Sequence, residues 1–142
     1  MTHDGNDDET IRTILTSVKT IAVVGASANP ARASHHVTEF LVEQGFRVFP
    51  INPGLAGKEI AGQTVWGDLA SVPEPIDMVD VFRNSDAAGA VIDEAIAIGA
   101  KVVWLQLGVF DAAGAERARA AGMRAVMNRC PAIEMPRLGL AR

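Results

Sequence analysis

The chain has 142 residues, 49% of them hydrophobic and 21% charged, which suits one globular domain with a real core and excludes an intrinsically disordered chain. No apolar run approaches the ~20 residues that span a bilayer, and the single cysteine, Cys130, excludes an internal disulfide and a cysteine-rich zinc site. The formal charge of −4 resides in Asp4, Asp7, Asp8 and Glu9; from Ile11 onward 13 acids meet 13 bases, so no broad basic surface exists for nucleic acid.

Residues 1–10 are expected to form a flexible acidic tail, not a secretory signal, ahead of a domain over 11–142. Ile11, Ile14, Leu15 and Val18 then fall on one face of an amphipathic helix, with Asp7 or Asp8 as its cap. The run "TIAVVG" (20–25) reads as a buried parallel strand. "SHHVTEFLVEQG" (34–45) reads as a helix closed by Gly45, and "FRVFPI" (46–51) as a second strand before the turn Asn52-Pro53-Gly54. The glycine- and proline-rich stretch 54–75 is irregular, with "WGDLASV" offering one or two helical turns. "DMVDVF" (77–82) is a third strand, followed by a helix that Ser85 is expected to cap. "KVVWLQLG" (101–108), a helix capped by Asp111, and "RAVMN" (124–128) complete the alternation. The tail "RCPAIEMPRLGLAR" holds two prolines and reads as loop with at most a closing turn.

Strands alternating with helices predict an α/β protein: a single, three-layer, Rossmann-like doubly wound parallel sheet with right-handed crossovers. Its ligand should lie at the carboxyl ends of the strands, near the topological switch point. Those ends are Gly25-Ala26-Ser27, Asn52-Pro53-Gly54, Phe82-Arg83-Asn84, Gln106-Leu107-Gly108 and Asn128-Arg129-Cys130.

The first of these is small for a physical reason. Backbone N–H groups approach a pyrophosphate only where side chains do not intrude, and a following helix start adds a favourable dipole. Asn29-Pro30 and Ser34 both offer that start; Ser34 is expected, leaving Arg32 on the rim of a longer loop. The later glycines of a dinucleotide fingerprint are missing from "VVGASANPARAS", and "FPINPG" carries no acid to hold ribose hydroxyls. The residues alone reach a nucleotide-like anion at a Rossmann crevice, with NAD disfavoured.

The motifs "VVGASANPARAS", "FPINPG", "VFRNSD", "VVWLQLG" and "NRCP", in this order, resemble the bacterial CoA-binding protein family, related to the amino-terminal CoA-binding domain of the succinyl-CoA synthetase α subunit. The resemblance spans about residues 15–138 and implies a Rossmann-like fold whose glycine loop faces the phosphate-bearing part of coenzyme A. It implies ligand contacts from Gly25, Ala26, Ser27, Arg32 and Ser34, and a wall from Asn52-Pro53 and Phe82-Arg83. Arg32 and Arg83 suit the pyrophosphate and ribose phosphate of coenzyme A, Phe82 suits the adenine, and Lys58 lies within reach of a phosphate. Pairing of Arg83 with Asp86 is the structural alternative. Leu55 stands where the synthetase carries a lysine, and the synthetase's phosphorylated histidine belongs to a domain this chain lacks, so ligase activity is not implied.

His35 and His36 point about 100° apart on a helix and make a poor metal pair. Cys130 beside Arg129 lies on the ligand side of the sheet; a lone cysteine before a proline is expected to be buried packing, and the alternative is a thiol whose pKa a nearby base lowers, allowing exchange with the sulfhydryl of coenzyme A. No acid–base pair or nucleophilic triad emerges. The expectation is a cytoplasmic, stand-alone module binding CoA or acyl-CoA, with no nucleic-acid or membrane partner. The alternatives are a small NAD(P)- or nucleotide-dependent enzyme using the same crevice, and an interaction subunit.

Overall fold

The computed structural model describes residues 6–142. Helix α1 (Asp8–Ser17) is capped by the Asp7 carboxylate, which accepts from the Thr10 N–H. Asp7 is one of the two caps expected from the sequence, and the apolar face buries Ile11, Ile14 and Leu15; residues 1–5 of the expected tail lie outside the described residues. Strand β1 (Thr20–Val24) leads to α2 (Ala33–Glu43), and β2 (Arg47–Ile51) to a short 3₁₀ turn over Pro53–Leu55. A two-residue hairpin, β3 (Glu59–Ile60) and β4 (Gln63–Thr64), precedes β5 (Met78–Val81) and α3 (Ser85–Ala97). The chain closes with β6 (Val102–Leu105), α4 (Ala112–Ala120), β7 (Arg124–Val126) and α5 (Pro131–Arg137).

The five long strands form one parallel sheet in the order β2-β1-β5-β6-β7. The order reverses between β1 and β5, so the switch point lies beyond Val24 and Val81. Alternation sorts the core into two layers. Ala22, Val24, Val79, Val81, Val103 and Leu105 face α3 and α4. Ile21, Val23, Met78, Val102 and Trp104 face α1, α2 and α5. The result is the expected three-layer α/β architecture. No helix among the described residues is long and apolar enough to cross a membrane.

Four local expectations are corrected. The start of α2 is Ala33 with Arg32 in the cap position, so Ser34 lies inside the first turn, buried, its carbonyl accepting from the Thr38 hydroxyl at 2.7 Å. Asn84 rather than Ser85 caps α3, because its side chain reaches the Ala87 N–H at 3.0 Å; the Ser85 hydroxyl instead accepts from the Phe110 N–H. The stretch "WGDLASV" is not helical: Trp66 bridges Ile51, exchanging bonds with Pro50 and Asn52 along the outer edge of β2. That bridge occupies backbone groups that an edge strand otherwise leaves open. The terminal "loop" is the helix α5. Pro131 starts it at a position that needs no N–H, and Pro136 falls in the last turn, where only one intrahelical bond is lost.

Candidate functional site

The loop after β1 is bound to the ends of its two neighbours. Gly25 has φ of +91°, and a Cβ there would lie 2.2 Å from the Phe82 carbonyl oxygen at the end of β5. Only glycine fits that approach. The Gly25 and Ala26 N–H groups both donate to the Ile51 carbonyl, at 3.1 and 3.3 Å. They brace the turn, so the donors open to a ligand begin further along. Among the described residues no partner is seen for the N–H of Ser27 or for those of Ala33 and Ser34 in the first turn of α2.

Beyond Ser27 the loop folds on itself. The Ser27 hydroxyl accepts from the Asn29 N–H and the Asn29 side chain accepts from the Ala31 N–H, each at 3.0 Å. His35 Nδ1 lies 2.8 Å from the Ser27 carbonyl oxygen, an acceptor, so this nitrogen carries a proton; Nε2 faces Glu39 Oε1 at 3.1 Å. His35 is thereby a tie between loop and helix, and no group of three or more metal-ligating residues occurs among the described residues. Asn52 ties loop to loop: its amide nitrogen donates to the Ala26 carbonyl at 2.8 Å, and its oxygen accepts from the Gly54 N–H at 2.9 Å.

Two clefts flank this braced loop. One, of about 350 Å³, is lined by Gly25, Ala26, Ser27, Arg32, Ser34 and Phe82, with Asn52 shared. The other, of about 450 Å³ on the α3 side, holds Gly25, Asn52, Pro53 and Arg83 together with Asp68 and Glu94. Both fall in the size range of small-molecule sites. Arg32 and Arg83 are exposed, and neither takes part in an ion pair among the described residues, so the surface pair with Asp86 does not form. Lys58 lines neither cleft; its backbone is engaged in the turn before β3. A larger cavity, about 470 Å³, lies at the opposite end of the sheet among Lys19, Gln44, Phe46 and Arg47. It contains none of the strand carboxyl ends, and Arg47 there is already paired with Glu74; fold logic therefore favours the two clefts.

Asp68 is the residue that local sequence reading misses. The acid absent from "FPINPG" is delivered from a later segment, because the Trp66 bridge runs beside the end of β2. The Ser71 hydroxyl and N–H both donate to its carboxylate, which lowers its pKa and keeps it ionised. Only long-range pairing reveals it.

Cys130 is buried, as a lone cysteine before a proline is expected to be. Burial raises the thiol pKa, outweighing the Gln106 amide and the Ala132 and Ile133 N–H groups that face the sulfur. Arg129 turns away to Glu134, at 3.3 Å.

Residues 19–136 match the family described as CoA binding domain. The Bacillus subtilis (strain 168) protein YneT is 33% identical over 120 residues, covering 84% of this chain and 87% of its own. A solved structure of a hypothetical protein from Pyrococcus horikoshii OT3 superposes with a TM-score of 0.89 at 38% identity, covering 97% of both chains. The acetate–CoA ligase [ADP-forming] I subunit alpha of Pyrococcus furiosus is 29% identical over 89 residues, 60% of this chain but only 19% of that subunit. With the match running through β1, the braced loop and every strand end, the chain belongs to the CoA binding domain family.

Proposed function

We propose that this protein binds coenzyme A or an acyl-CoA across the two clefts, as a cytoplasmic binding module. The observation that carries the reading is the meeting of Ser27, Arg32, Ser34, Asn52, Pro53, Phe82 and Arg83 around the β1–β5 switch point, in a chain of this family. The free N–H groups at Ser27 and the start of α2 favour an anion, as helix amino ends do. Arg32 on one side and Arg83 on the other suit two separate phosphate centres. Gly25 and Ala26 serve by shaping the turn, and Phe82 offers an apolar wall for the adenine. Lys58 contributes only if its side chain swings toward the phosphates. The shared region is 19% of the ligase subunit, so the activity that subunit is named for is not carried over.

Asp68 favours a second reading, a nucleotide with a free ribose diol, since it supplies the acid such a ligand needs. Calorimetric titration with CoA, NAD and NADP separates the two. CoA alone should bind tightly, and preferential binding of NAD would overturn the first reading. Arg83→Ala should weaken CoA by about 1.5–3 kcal/mol, the loss of one charge-assisted contact; unchanged affinity would remove Arg83 from the site.

A further inference from the structure

The exposed large hydrophobic side chains among the described residues are Leu107, Phe110 and Ile133, at 52%, 56% and 53% exposure. Leu107 and Phe110 belong to the turn between β6 and α4, and Ile133 to the first turn of α5. All three therefore lie at the carboxyl ends of β6 and β7, at the same end of the sheet as the two clefts. Singly exposed apolar residues need no explanation, but a group of them at one end of a sheet does.

Fixed backbone presents these side chains. Asn128, in the left-handed region at φ +58°, accepts from the Gly108 N–H at 2.9 Å. The Phe110 N–H donates to Ser85 Oγ at 2.9 Å, and Ser85 follows the cleft residue Arg83 by two positions. Val109, between the two contacts, is buried. On α5, Glu134 and Met135 turn inward and leave Ile133 outside. The Ile133 N–H and the Gln106 side chain face the same sulfur, that of Cys130, which brings Ile133 close to the residue preceding Leu107. Residues 107–110 and 131–133 carry no charge, and Arg129, at the end of β7, is held by Glu134 at 3.3 Å.

We propose that this surface receives the acyl group of the ligand, and that the ligand is a thioester with an apolar acyl chain lying over Leu107 and Ile133, with Phe110 at its edge. The inference rests on the CoA reading for its anchor. Phosphates held by the free N–H groups at Ser27 and the start of α2 set the origin of the arm over β1. From phosphate to sulfur that arm runs through about a dozen bonds, roughly 15 Å at the ~3.5 Å per three bonds of an extended chain. Strand β7 lies three spacings from β1, roughly 14 Å at ~4.8 Å each. The thioester carbon thus falls at the ends of β6 and β7, where the apolar surface begins. An aliphatic chain covers that surface, whereas a carboxylate-ended acyl group such as succinyl meets no free base there.

Calorimetric titration of the full chain with CoA, acetyl-CoA, succinyl-CoA and octanoyl-CoA tests the subsite. Each half-buried methylene adds roughly a factor of two in affinity, so octanoyl-CoA should bind at least about ten-fold tighter than acetyl-CoA, at one site for which free CoA competes. Succinyl-CoA should bind no tighter than acetyl-CoA. Leu107→Ser combined with Ile133→Ser, at two exposed positions outside the core, should bring the octanoyl-to-acetyl ratio down toward one. Equal affinities for octanoyl-CoA and acetyl-CoA, in a protein that binds CoA, overturn the subsite and leave the CoA reading standing. A ratio unchanged in the double variant does the same. A wild-type dimer in sedimentation equilibrium that persists with octanoyl-CoA and dissolves in the double variant gives the surface to a second copy of the chain, which also overturns it. If none of the four ligands binds, the CoA reading falls and the acyl subsite falls with it.

Discussion

At the scale of single residues the first loop depends on Gly25. A methyl group there meets the Phe82 carbonyl at 2.2 Å, in a backbone conformation that L side chains rarely adopt. Gly25→Ala must therefore separate β1 from β5 or flip the turn, releasing the Ile51 carbonyl from two donors. We expect a loss of at least about 2 kcal/mol from the strained φ and the clash together, read as a lower urea midpoint. An unchanged midpoint would show that the approach to Phe82 is not rigid. The need for glycine at 25 was legible in "VVGAS", but its cause was not. A tight turn and access for a ligand both call for small residues there, but only the fold shows Gly25 and Ala26 spending their N–H groups on Ile51, a contact between residues 26 positions apart for Gly25.

At the scale of elements, apolar periodicity located every long strand and the four longer helices, since burial alone dictates that signal. Helix ends were less legible, because neighbouring polar residues compete for the same N–H groups: Asn84 reaches Ala87 while Ser85 turns to Phe110. α5 was hidden by its prolines, and Asp68 by a bridge that no local pattern announces. Helix α4 offers a test of such competition. Its Gly114 lies beneath the cap, and a Cβ would sit 2.4 Å from Asp111 Oδ2 and 2.6 Å from Ile92 Cδ1. Alanine gains about 1 kcal/mol of helix propensity over glycine. Against this stand the Asp111 cap, worth about 1 kcal/mol, and displacement of buried Ile92 from the α3 layer. Packing should win, so Gly114→Ala should lower stability by about 1 kcal/mol or more in a denaturant melt; a gain would show that Ile92 repacks freely.

For the whole molecule, two aspartates three positions apart set opposite limbs of the stability–pH curve. Burial works to raise the pKa of Asp77, but the Lys19 and Thr20 N–H groups and the Lys101 ammonium outweigh it, and the net shift is downward. Its contribution is present above the unfolded aspartate value of about 3.9 and is lost as pH falls through the lower folded value. Asp80 has no such donors, and burial alone raises its pKa. Its contribution is complete below the unfolded value and is lost as pH rises through the folded one. Asp77→Asn should therefore flatten the acid limb and leave the alkaline limb in place. Asp80→Asn should do the reverse, its stability relative to wild type rising with pH by about 1–3 kcal/mol, the scale of a buried group's desolvation. Urea midpoints measured from about pH 3 to about pH 9 resolve both limbs. Parallel curves for wild type and Asp80→Asn would mean that the carboxyl at position 80 finds a partner or water in solution. A divergence that grows with pH, together with an unchanged acid limb, would establish a neutral carboxylic acid inside the sheet, kept there at a cost to the fold.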